Sequence, residues 1–171
     1  MLQANKEEPE KLLRKLAEET LRPGFAIYDM QVSYTKNNVR ILVYLDKLID
    51  PNGSPTIEDC EEYTHLFRLK LEALQDARYS EAAIDVSSPG AEREIRSEED
   101  LIRFADKPMA VRYYEEDGTE KKSVFNFIEK TSTGYRWKEA VLKRGNTKKK
   151  ARGEKIIPPE KIRDIHLYLD F

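Results

Sequence analysis

A chain of 171 residues with 39% hydrophobic side chains has the material for one core or two small ones. Its 36% charged residues stand above the roughly 25% usual in soluble domains, and a net charge of only -2 excludes a uniformly basic nucleic-acid coat. The single cysteine, Cys60, excludes an internal disulfide, which suits a reducing compartment. No apolar run approaches the roughly 20 residues of a membrane helix. The acidic start MLQANKEEPEK lacks the apolar stretch of a secretion signal, so a cytoplasmic chain is expected.

Charge is unevenly placed. Residues 1–91 hold 11 Lys and Arg against 16 Asp and Glu, a balance of -5, whereas residues 92–171 hold 19 against 16, a balance of +3. An acidic half joined to a basic half points to two partners or one composite partner.

In chain order, the first element reads as a helix over Pro9–Leu21. Leu12, Leu13, Leu16, Ala17 and Leu21 share its apolar face, and Pro9 suits its first turn. Glu7, Glu8 and Glu10 complement the positive end of its dipole, and Arg22-Pro23-Gly24 stops it. Tyr28, Met30, Val32 and Tyr34 then alternate with polar residues, as in a half-buried strand. After the turn Lys36-Asn37-Asn38, a second strand lines one face with Val39, Ile41, Val43 and Leu45, completing a hairpin. The loop Asp50–Pro55 leads to Thr56, an N-cap with Asp59 at the capping-box position. Ile57, Cys60, Thr64, Phe67, Leu71 and Leu74 recur at helical spacing behind it, and a short strand spans Ala82–Val86. The order α-β-β-α-β predicts a small α/β layer with helices on one face of a sheet.

The texture changes beyond Ser87-Ser88-Pro89-Gly90. A short helix starts at Ser97 and ends near Phe104, and short strands follow at Met109–Tyr114, Ser123–Glu129, Tyr135–Leu142, Ile156-Ile157 and Ile165–Phe171. Five short strands in such a span predict a small SH3-like or Sm-like all-β barrel. The expected domains are therefore residues 1–91, α/β, and residues 92–171, a barrel.

Three stretches together resemble one family. Ile41-Leu42-Val43-Tyr44-Leu45-Asp46-Lys47, followed by Thr56-Ile57-Glu58-Asp59-Cys60-Glu61, resembles a strand of the form LRVYIDK and a helix start of the form TLDDCE. Asp85-Val86-Ser87-Ser88-Pro89-Gly90 matches an EVSSPG signature, and Ile162–Phe171 resembles a last strand. In this order they are those of the RimP family of bacterial ribosome maturation factors. The resemblance implies an α/β N-terminal domain, an SH3-like C-terminal barrel and a cytoplasmic, non-catalytic role in assembling the small ribosomal subunit. The partners it implies are a small-subunit ribosomal protein near the decoding centre and ribosomal RNA. After the signature the family usually runs L-D-R-P-L; here Ala91-Glu92-Arg93-Glu94-Ile95 keeps the Arg alone.

Each motif has a functional and a bland reading. Ser87, Ser88, Pro89 and Gly90, with Arg93, suit an interdomain hinge: Pro fixes φ, Gly permits positive φ, and the hydroxyls satisfy turn amides. Partner contact is the second reading. A serine nucleophile would need a base, and His65 and His166 are both distant in sequence. Cys60 falls on the apolar face of its helix as a buried free thiol, and one Cys with two distant His makes no metal set; no cofactor is expected. Lys143, Arg144, Lys148, Lys149, Lys150, Arg152 and Lys155 form a basic run that contacts RNA phosphates or is a solvated loop. Tyr135 and Trp137 beside it are barrel core or base-stacking aromatics, and Tyr113 and Tyr114 are equally ambiguous. Glu58, Asp59, Glu61 and Glu62 complement a helix N-terminus, and they also suit contact with a basic ribosomal protein. A monomeric assembly factor is the expectation. A general Sm-like or KH-like RNA-binding module and a metal-dependent RNA hydrolase are the alternatives. No GXXG clamp supports the KH version, and metal-dependent RNA cleavage would favour the hydrolase.

Overall fold

The computed structural model describes residues 4–35, 38–142 and 153–169. The chain divides into two compact units, Met1–Pro89 and Gly90–Phe171.

In the first unit, helix α1 (Ala4–Glu18) precedes strands β1 (Phe25–Tyr34) and β2 (Val39–Lys47). Helix α2 (Ile57–Glu72), a one-turn helix α3 (Ala77–Ser80) and strand β3 (Ala83–Ser87) complete it. The sheet order is β1-β2-β3, with β1 antiparallel and β3 parallel to β2. The parallel pair requires a crossover, which α2 supplies. The alternation in β2 is realised: Val39, Ile41, Val43 and Leu45 are all buried against Leu13 and Ala17 of α1 and Tyr63, Phe67 and Leu71 of α2.

The structure corrects four details. Pro9 lies inside α1 rather than at its start, so the helix forgoes one backbone hydrogen bond there. Leu12 is outside the buried stripe at 40% exposure. A β-bulge falls between Ile27 and Asp29, so Tyr28 drops out of the stripe and Ile27 joins Met30, Val32 and Tyr34 on the core face. The extra helix α3 is capped by the Asp76 carboxylate, which accepts from the Arg78 amide.

The second unit begins with helix α4 (Glu98–Arg103), capped by Ser97. Strands β4 (Pro108–Tyr114), β5 (Glu120–Lys130), β6 (Tyr135–Glu139) and β7 (Glu154–Ile157) follow. A 3-10 turn at Pro159–Lys161 leads into β8 (Ile162–Leu167). These strands form a five-stranded sheet in the order β7-β6-β5-β4-β8. Trp137 of β6 is fully buried in the core of this unit, 5.4 Å from Phe127 and 6.1 Å from Phe125 by ring centroid. Tyr113 and Tyr135 pack into the same core, whereas Tyr114 is on the other side and exposed. Trp137 and Tyr113 are thus committed to the core.

The last strand starts earlier and ends earlier than its alternation suggests: Leu169 is exposed, and Phe171 is outside the described residues. β6 stops at Glu139 rather than Leu142, and β7 extends back to Glu154. Outside β8, Arg93–Ile95 runs alongside: the Leu167 amide donates to the Arg93 carbonyl at 2.9 Å and the Ile95 amide to the Ile165 carbonyl at 2.8 Å. Among the described residues no pairing joins β7 to β8, and the unit is a β-rich sheet with these two strands at its ends. Ile157 of β7 at one edge of the sheet and Ile165 and Leu167 of β8 at the other are buried in the same core cluster, and Lys155 Nζ of β7 lies 4.5 Å from the Tyr113 ring of β4.

Candidate binding surfaces

The acidic residues of α2 have unequal roles. Thr56 accepts from the Asp59 amide at 3.2 Å, and the Thr56 amide donates to the Asp59 carboxylate at 2.9 Å, closing the capping box. The same carboxylate accepts from Lys47 Nζ at 2.8 Å and Arg22 at 3.0 Å. The Lys47 bond above all, then the Thr56 amide, holds the Asp59 carboxyl down to about 2. Asp59 is therefore spent on joining α2 to β2 and to the segment after α1. Glu62 pairs with Arg22 at 2.6 Å from an exposed position. Glu58 and Glu61 are exposed and make no ion pair among the described residues, so they carry the outward negative charge.

The apolar spacing of α2 also divides in two. Tyr63, Phe67 and Leu71 are buried, and the Tyr63 hydroxyl donates to the Ala17 carbonyl at 2.9 Å. Ile57, expected on the core face, is 74% exposed. With Cys60 and Thr64 it lines a groove of about 650 Å³ whose other wall is Val86, Ser87 and Ser88. Burial, and secondarily the Asp59 charge, pushes the Cys60 thiol up, which favours the unreactive protonated form. The sequence missed this groove because the stripe 57-60-64 continues into the buried stripe without a break.

Ser87 ends β3, and Gly90 adopts φ +87°, a backbone conformation open to glycine at little cost. Ser87, Ser88 and Pro89 belong to the first unit, and Gly90 and Arg93 to the second. Arg93 is buried in the second unit, its guanidinium 5.1 Å from the Phe104 ring and 3.8 Å from Asp100. Lys143, Arg144, Lys148, Lys149, Lys150 and Arg152 lie outside the described residues. Lys155, the last member of the run, bonds Glu115 at 2.7 Å and caps the Tyr113 ring. His166 and His65 belong to different units, the former with Nδ1 3.2 Å from the Glu92 carbonyl. Among the described residues no group of three or more His, Cys, Asp or Glu could hold a metal ion, and no helix is long and apolar enough to cross a membrane.

The chain is similar to the ribosome maturation factor RimP of Leptospira biflexa, 33% identical over 161 residues, spanning 94% of this chain and 97% of that protein. The chain belongs to the RimP family. The RimP N-terminal domain profile matches residues 16–92, which hold the acidic surface, the groove and Ser87–Gly90. Two further RimP proteins match over less: that of Leptospira interrogans is 32% identical over 60% of this chain and 62% of its own length. That of Verminephrobacter eiseniae is 42% identical over 32% of this chain and 21% of its own length.

Proposed function

We propose that this RimP-family chain is a monomeric, cytoplasmic, non-catalytic assembly factor for the small ribosomal subunit. The observation that carries the reading is the family match over 94% of the chain to a protein named ribosome maturation factor. The first unit presents Glu58 and Glu61, and peripherally Glu62, to a basic small-subunit ribosomal protein near the decoding centre. The second unit is an SH3-like barrel in this reading, supported by the shared core in which Ile157 of one edge strand is buried with Ile165 and Leu167 of the other. The Lys143–Arg152 run rests on ribosomal RNA through phosphates, which position a protein without reading sequence. Ser87-Ser88-Pro89-Gly90, with Arg93 anchored beyond it, forms the joint between the units.

The mechanism needs no bond-making step. A factor that binds one assembly intermediate more tightly than competing conformers raises that intermediate's population by its differential affinity. Release follows when maturation removes the difference. Depleting the protein should leave small subunits incompletely assembled, and the parent gene should restore them. Normal subunit profiles and unchanged small-subunit RNA processing in depleted cells would overturn the reading.

A further inference from the structure

We propose that the groove between α2 and β3 captures an extended basic segment of a partner protein as an added strand on the outer edge of β3. The inference rests on the preceding reading for the partner's basic character. It adds the site and the mode of capture.

Two independent observations meet here. β3 is an edge strand: among the described residues it pairs with β2 alone, Ala83–Ser87 lying opposite Arg40–Tyr44. One row of its amides and carbonyls therefore points away from the sheet, and such a row is a template for a further strand. The edge also has a wall. Tyr63, Phe67 and Leu71 anchor α2 on the core, which turns the neighbouring stripe of Ile57, Cys60 and Thr64 toward Val86 and Ser87 across the groove. Ile57 stands in water on the first turn of a helix whose start is locked by its capping box.

An added strand fits both features at once. Its backbone satisfies the edge of β3, and its side chains alternate. Every second one enters the groove against Ile57, Cys60 and Thr64. The others extend over the opposite sheet face, where Ala83 and Asp85 are exposed.

Charge selects the occupant. Glu61 lines the groove and Glu58 is exposed on the same helix. The lining cation Arg68 is turned inward, donating to the Ser80 and Ala82 carbonyls, each at 3.2 Å. A phosphate backbone would meet carboxylates here, whereas flanking Lys or Arg side chains would find partners.

The test uses the full chain and a pool of short capped peptides in which Lys alternates with Val, Ile or Thr. A second pool carries Glu in place of Lys. Cys60 is the chain's one cysteine, so its alkylation rate reports the groove directly. Amide hydrogen exchange over Ala83–Ser87 reports the edge. The basic pool should slow Cys60 alkylation several-fold and protect amides within Ala83–Ser87. The acidic pool should do neither. Combining Ile57→Asp with Glu61→Lys, both exposed positions, should abolish both effects.

Protection of Cys60 without β3 protection would show docking on the helix face and overturn strand addition. Equal protection by both pools, protection by neither, or a doubling of the chain's own mass through β3 pairing would overturn it too. No ribosomal particle is present, so failure here leaves subunit binding standing. Capture of the basic pool by a chain that ignores subunits would count against the preceding reading alone.

Discussion

Lys47 Nζ donates to the Asp59 carboxylate at 2.8 Å, tying the end of β2 to the first turn of α2. Because the folded Asp59 carboxyl sits at about 2 against an ordinary 3.8, the unfolded chain takes up this proton first. The stabilisation is therefore complete above pH ~4 and is lost as pH falls through about 2. Asp59→Asn should reduce stability at neutral pH by about 2 kcal/mol, the order expected for a charge-assisted hydrogen bond. It should also flatten the acid limb of the stability profile. Urea unfolding at a series of pH values checks both.

Trp137, the chain's one tryptophan, is buried in the second unit, so its fluorescence reports that unit. A Cβ on Gly134, whose φ is +155°, would lie 2.6 Å from the Ile157 carbonyl oxygen and 2.9 Å from Pro158 Cα, both backbone atoms. Gly134→Ala should lower the tryptophan-detected transition by about 2–3 kcal/mol, as expected for a strained site with little room to relax. Tyr63→Phe removes the 2.9 Å donor from the buried Ala17 carbonyl, which keeps the longer 3.2 Å bond from the Thr20 amide, and should cost about 1 kcal/mol. That loss should fall on the first unit and leave the tryptophan signal in place. Equal shifts of the tryptophan signal by both variants would show that the units unfold as one.

These residues also show what the sequence disclosed. The alternation of Val39, Ile41, Val43 and Leu45 was legible because one buried face imposes a period of two, and the Thr56–Asp59 cap because its chemistry is local. The bulge at Tyr28 was not, since an inserted residue leaves the apolar and polar letters in place while exchanging their faces. The exposure of Ile57 escaped for the same reason: helical spacing gives a stripe but not how much of its length meets a partner. Asp59 looked available because Arg22 and Lys47, which hold it, lie 37 and 12 residues away in sequence. The strand at Glu154–Ile157 begins on charged residues, so it showed only as an apolar stub.

Reversing Glu58 and Glu61 to Lys should leave the fold intact, because both are exposed and neither enters the ion pairs that hold α2. Affinity for a basic small-subunit protein should fall, and its dependence on salt should weaken. Binding titrations over a salt series decide it; unchanged affinity throughout removes these residues from the interface.

Replacing Lys148, Lys149 and Lys150 with Ala should weaken subunit binding alike for all RNA partners. If all three neutralise phosphates, the slope of log affinity against log salt should shrink by about 2–3, from roughly 0.7–0.9 per contact. Stability should change by less than about 0.5 kcal/mol, as for most surface substitutions. An unchanged slope identifies a solvated loop.

Selective binding to maturing small subunits is checked by sedimenting the purified chain with immature and with mature small subunits at moderate salt. The chain should travel with the immature particles and largely remain at the top of the gradient with the mature ones. Equal association with both, or with neither, would rule out a factor selective for maturing subunits.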